Sequence, residues 1–206
     1  MAFQENPIPR EHIQSPETTP YPLMKHLVII PEERELPWSE KDQVQILQSI
    51  TGFAQRNGIP YVTLCLTDEI EAKAFAKTLE SSDKPQKTII RFKTERGREE
   101  IMEAAKKIIR AGIQPDAVDE KMFDDLIDRN IPDPDFALQT GTNPSNSIHD
   151  DSRGDDIMLN NFMVWQMGYT EYGKTTVLLA NLSSDHLDEI VGKQYKPENR
   201  RFGQLS

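Results

Sequence analysis

The chain has 206 residues, 36% of them apolar, and carries 34 acidic against 24 basic side chains for a net charge of −10. That length favours one domain with a core of ordinary size. The charge argues against a whole-surface nucleic-acid binder and suits a cytoplasmic protein with at most peripheral membrane contact. No apolar stretch approaches the ~20 residues of a membrane-spanning helix, and the N-terminus shows no signal-peptide core. The single cysteine, Cys65, has no partner for an internal disulfide and reads as a small buried strand residue.

Residues 1 to 24 hold five of the 14 prolines and read as an irregular arm. Leu27 to Ile30 is a continuous apolar run of the kind buried on both faces of a sheet. Ser39 stands where a helix N-cap would. Behind it Val44, Leu47, Ile50 and Ala54, with Ile46 and Phe53 beside them, make a helical stripe that Gly58 closes. Tyr61 to Leu66 reads as a second strand, Glu69 to Leu79 as a helix and Lys87 to Phe92 as a third strand. Arg98 to Arg110 is an amphipathic helix with Ile101, Ala105, Ile108 and Ile109 on one face, ended by Gly112. A short helix is expected near Glu120 to Ile127 and a fourth strand over Asp135 to Gln139. The polar stretch Thr140 to Asp156 reads as a long exposed loop. Ile157 to Tyr172 reads as a long helix, Thr176 to Ala180 as a fifth strand and Asp185 to Gln194 as a last helix. This alternation implies an α/β fold: a single domain with a mostly parallel central sheet flanked by helices.

Several motifs occur in a fixed order. Lys25-His26-Leu27-Val28-Ile29-Ile30 opens the body. Gly97-Arg98-Glu99-Glu100-Ile101 starts a helix, and Pro132-Asp133-Pro134-Asp135-Phe136 enters a strand. Asn161-Phe162-Met163-Val164-Trp165-Gln166 precedes Tyr169-Thr170-Glu171-Tyr172, and Arg200-Arg201-Phe202-Gly203 stands near the end. Together these resemble the cis-prenyltransferases, the family of undecaprenyl diphosphate synthase, over about 180 residues from Lys25 onward. The resemblance implies a shortened cis-prenyltransferase fold for residues 25–206.

The departures from the family pattern are chemical. Its first loop reads D-G-N-G-R-W, and the Asp helps ionise an allylic diphosphate with magnesium. Here the loop is Pro31-Glu32-Glu33-Arg34-Glu35-Leu36-Pro37-Trp38, without glycines that would let backbone N–H groups approach phosphate. Three glutamates there repel a diphosphate unless metal intervenes. Where the family strand carries two arginines and a serine, this chain has Gln139, Met158 and Asn160. Neither Gln nor Met forks onto phosphate as a guanidinium does, and each such contact is worth about 1.5–3 kcal/mol. The stretch from Thr67 to Gln86 is also short and charged where the family builds the walls of a prenyl tunnel. These losses resemble the accessory subunit of heteromeric cis-prenyltransferases, the Nogo-B receptor type.

The resemblance implies that the tail Arg200-Arg201-Phe202-Gly203 crosses to a catalytic partner and completes its isopentenyl diphosphate site. An arginine beside an exposed glycine N–H is a compact diphosphate clamp. It also implies that Asn161, Trp165, Gln166, Gly168, Tyr169, Glu171 and Tyr172 form the interface with that partner, in a heterodimer or larger assembly. Asn161, Trp165, Gly168, Tyr169 and Tyr172 lie at helical spacing. No catalytic residue and no metal ligand is expected on this chain. Magnesium and both substrates, isopentenyl diphosphate and an allylic prenyl diphosphate, belong chiefly to the partner's active site. The loop Asp150 to Asp156 reads as solvated rather than metal-binding. His12, His26, His149 and His186 show no ligand spacing, and no nucleotide-binding motif occurs. Two other readings stay open: a self-sufficient prenyltransferase using Glu32, and a non-enzymatic scaffold or isoprenoid-binding protein.

Overall fold

The computed structural model describes residues 24–32, 35–81, 87–94, 96–127, 131–142 and 162–196. In chain order these form β1 (His26–Pro31), α1 (Glu40–Arg56), β2 (Tyr61–Cys65), α2 (Glu69–Glu80), β3 (Ile89–Lys93), α3 (Gly97–Arg110), α4 (Glu120–Ile127), β4 (Phe136–Thr140), β5 (Glu171–Lys174) and α5 (Ser184–Gln194). The sheet runs β3-β2-β1-β4-β5, and every neighbouring pair is parallel. The α/β fold read from the alternation is the fold observed.

The sheet buries both faces. Alternate strand residues point opposite ways, so Leu27 and Ile29 join Val62, Leu64, Phe136 and Leu138 on one side, while Val28, Ile30, Cys65 and Ala137 face the other. The first side is closed by α1, α2 and α5 through Ile46, Phe53, Phe75, Leu187 and Val191. Ser39 caps α1 in a reciprocal capping box with Asp42, and Gly58 takes the left-handed conformation after it, at φ 67°. The buried face of α1 is rotated slightly from the expected stripe: Gln43 is buried and Val44 exposed. Met24, at the edge of the arm, is already buried in this core.

Two expectations fail between 157 and 180. Residues 162–169 are not helical but a series of turns, with Met163 at φ 48°. The fifth strand lies at Glu171–Lys174, ahead of the expected Thr176 to Ala180, and Leu179–Asn181 forms a turn of 3-10 helix instead. The reason is the free edge of β4. Glu171 N–H donates to Asp135 O and Thr170 Oγ1 to Pro134 O, which draws this β-prone segment onto the sheet. Gly173 is needed there, because a Cβ would stand 2.4 Å from the Phe136 ring.

The first turn of β1 is held by Asp135, whose Oδ2 accepts from the backbone N–H groups of Lys25 and His26 at 2.5 and 2.9 Å. His26 is buried: its Nδ1–H donates to Pro132 O at 2.7 Å, and its Nε2 is hydrogen-bonded to Thr63 Oγ1 at 2.8 Å.

Candidate functional site

In this topology the chain leaves β1 toward β2, while β4 lies on the other side of β1. The crevice beyond the carboxyl ends of β1 and β4 is therefore the switch point of the sheet, where open α/β folds bind ligands. Pro31 at the end of β1 sits in register with Thr140 at the end of β4.

That crevice contains Glu35. The loop after β1 folds back, with Glu35 N–H donating to Glu32 O at 2.9 Å. The Glu35 carboxylate accepts from Thr140 Oγ1 at 2.7 Å and from Leu179 N–H at 2.6 Å. It also lies directly over Gly141, which has φ 69° and whose added Cβ would stand 2.5 Å from Glu35 Oε1. Burial raises the Glu35 carboxyl above its usual range of 4.5; the bonds from Thr140 and Leu179 oppose that rise, and the Glu32 charge adds to it. Gln139, in place of the family's arginine, is buried near the end of β4, one residue before Thr140 and so on the opposite face of the sheet. The sequence groups Glu35 with two other loop glutamates as a repulsive set; its specific role depends on Thr140 and Leu179, which are remote in the chain.

The space between α2 and the sheet is filled by aromatic rings. Trp38 meets Phe75 edge-on at 5.4 Å, and Phe75 stacks obliquely on Phe92 at 5.6 Å. A shallow cleft of about 290 Å³ remains outside them, floored by Ala72, Ala76 and Phe92 and edged by Glu69 and Lys73.

The expected interface residues separate. Trp165 and Tyr169 are exposed at 39% and 70%. Trp165 packs on Phe123 of α4 at 4.6 Å and donates its Nε1–H to Asp124 Oδ1 at 2.6 Å. Gln166 is buried to 7% exposure, yet among the described residues neither polar atom of its amide has a hydrogen-bond partner. Gly168 has open space where a Cβ would stand. Tyr172 lies on β5, half-buried, its hydroxyl donating to Met167 O and its pKa raised by burial. The single helical face expected for these residues is therefore corrected to a turn segment followed by a strand. Phe162 and Met163 are core. Glu171 Oε2 accepts from Lys196 N–H at 2.6 Å, tying the segment after α5 to β5. Asn161 and the tail Arg200, Arg201, Phe202 and Gly203 lie outside the described residues, as do Met158, Asn160 and the acidic loop 150–156.

The same surface continues over α3 and α4. Gly97 brings α3 onto the turn segment, since a Cβ there would meet Val164 N at 2.6 Å. Only Gly97, Glu100 and Ala104 of α3 are buried and no residue of α4 is. The face expected to pack, Ile101, Ala105 and Ile108, is only half covered, and Ile109 is 76% exposed. Beneath, Lys93 and Glu100 form a buried ion pair beside Cys65, whose thiol burial pushes up to about 12.

Among the described residues no three His, Cys, Asp or Glu side chains converge as metal ligands, and no helix is long and apolar enough to cross a membrane. Glu32 lies close enough to Glu35 for their charges to interact, and Glu171 Oε2 is engaged by Lys196 N–H.

A single α/β domain on a five-stranded, all-parallel sheet is the class that this geometry defines. The chain belongs to the prenyltransferase family described as "Putative undecaprenyl diphosphate synthase", whose model matches residues 65–203. It is 30% identical over 112 residues to an isoprenyl transferase of Bacillus subtilis, a match covering 52% of this chain and 38% of that protein. It is 29% identical over 141 residues to an isoprenyl transferase of Halalkalibacterium halodurans, covering 66% of this chain and 50% of that protein. The matched stretch thus spans half or less of these relatives. Its fold is similar to lavandulyl diphosphate synthase from Lavandula x intermedia in complex with dimethylallyl diphosphate, with a TM-score of 0.58 at 19% identity, covering 89% of this chain and 97% of that one. A probable undecaprenyl diphosphate synthase from Campylobacter jejuni gives 0.56 at 15% identity with the same coverages.

Proposed function

We propose that this chain is the non-catalytic accessory subunit of a heteromeric cis-prenyltransferase that makes long-chain polyprenyl diphosphate. The observation that carries this reading is the switch-point crevice. It presents a carboxylate, Glu35, where the family pattern calls for phosphate-binding backbone, and the strand that ends there carries Gln139 in place of an arginine. Among the described residues, the group a diphosphate would meet there is the Glu35 carboxylate. The Trp38, Phe75 and Phe92 cluster supports the same conclusion, because a growing prenyl chain needs apolar volume that these rings fill.

The catalytic partner then supplies the ionising Asp, magnesium, the arginines and the tunnel. This chain supplies a docking face and the Arg201-Phe202-Gly203 tail. The exposed Val164, Trp165 and Tyr169, with the buried Gln166 amide unpaired among the described residues, support a protein interface. The tail's guanidinium and glycine N–H hold the isopentenyl diphosphate while the partner performs the transfer.

The test is Arg201→Ala in the reconstituted complex. Turnover of isopentenyl diphosphate is expected to fall about 10- to 100-fold, the equivalent of one lost charge-assisted contact. Assembly, read by size-exclusion chromatography, is expected to be unchanged. Equal turnover in mutant and wild-type complexes contradicts the role of the tail.

A further inference from the structure

We propose that the outer edge of β3, with the cleft beside α2, docks an extended polypeptide segment that alternates apolar and acidic residues. The two edges of the sheet differ. At β5 the Gln194 amide accepts from Lys174 N–H at 2.8 Å and donates to Lys174 O at 2.9 Å, so a side chain closes that edge as a neighbouring strand would. At β3, Ile89 N–H donates to Pro60 O and Lys93 O accepts from Leu66 N–H, so Ile89, Arg91 and Lys93 turn their backbone groups to β2. By alternation those of Ile90 and Phe92 point outward, and among the described residues β3 has no strand on that side.

The cleft lies along the same edge. Phe92 and Thr94 form its sheet side, and Ala72 and Ala76, one turn apart, form its helix side. A strand added to β3 sends every second side chain to the face of Phe92, where these alanines leave room for an aliphatic group. Ile89, on the other face, is 53% exposed, and the added strand covers it too. Charge selects the occupant. Lys73, Lys77, Lys87 and Arg91 stand along this edge against Glu80 and Glu69, the latter bonded to Lys73: a net positive strip on a chain of net charge −10. An acidic segment matches it. A second copy does not, because two-fold pairing of β3 sets these bases against each other. The site needs no catalytic partner, so its test is separate from that of the accessory-subunit reading.

The probe is a short synthetic peptide that alternates valine with glutamate; the control carries lysine in place of glutamate. In fluorescence anisotropy with the full chain, the acidic peptide is expected to bind at least about tenfold tighter than the basic one. Its binding is expected to slow amide hydrogen exchange at Ile90 and Phe92 by about tenfold or more. Ala76→Gln, which fills the cleft, and Lys77→Glu, which reverses the rim, are each expected to weaken binding at least about fivefold. Neither position is buried, so thermal melts of both variants are expected to match wild type. No binding to wild type, equal binding of the two peptides, unprotected Ile90 and Phe92 amides in the bound state, or no loss of binding in the folded variants overturns the proposal.

Discussion

The two faces of the sheet are finished to different degrees. On one, α1, α2 and α5 cover a core with Phe53, Phe75 and Phe136 fully buried, and Arg56 of α1 pairs with Asp185 and Asp188 of α5. On the other, a small cluster of Val28, Ile30, Cys65, Ala137, Phe162, Met163 and Met167 is roofed by turns. Beside it stand helices whose apolar faces stay half covered and a buried amide without partners. A buried polar group left unpaired costs about 1–3 kcal/mol, a cost sequences avoid unless a partner pays it back on assembly. The first face therefore holds the chain together, while the second is the one on which the proposed partner would dock.

The largest effect is expected on the closed face. Phe53→Ala should destabilise the isolated chain by about 3–5 kcal/mol in urea unfolding, since it empties fully packed volume. On the open face the order reverses. Trp165→Ala removes a partly exposed ring that touches Phe123, and should cost the isolated chain only about 0.5–1.5 kcal/mol. Its cost to binding a catalytic partner, measured by calorimetry, should be about 2 kcal/mol or more if the ring anchors the interface. Equal losses in stability and in binding would erase the distinction between the faces.

Gln166→Leu sharpens it further. Replacing an unpaired buried amide should stabilise the isolated chain by about 1 kcal/mol, while weakening assembly if the partner supplies the missing hydrogen bonds. The smallest effect is a pH slope. Burial raises Glu35 above 4.5, so between 4.5 and its raised value the folded chain holds a proton that the unfolded chain releases. Stability should therefore fall as pH rises through that window. Glu35→Gln, with nothing to titrate, should lack that component in parallel thermal melts.

Four of the five described strands were legible to within two residues at either end, because buried parallel strands read as continuous apolar runs and helices announce their caps. The exception is instructive. Trp165, Tyr169 and Tyr172 stand three and four residues apart, which imitates a helix, yet Tyr172 belongs to β5. Sheet pairing is a long-range choice, and the open edge of β4 outbid the local pattern. The altered first loop and the missing arginine were plain in Glu32, Glu35 and Gln139. That Glu35 docks on Thr140 and Leu179 was not, because those contacts span 105 and 144 residues. Gln166 was legible as part of a motif but not as an unpaired amide, since burial without a partner is a property of packing.

The most direct measurement incubates labelled isopentenyl diphosphate and an allylic primer, with magnesium, and this chain alone, a catalytic family member alone, or both. The expected result is no polyprenyl product from this chain by itself and a clear gain when it joins the partner. Elongation by this chain unaided, or no gain on mixing, contradicts the account.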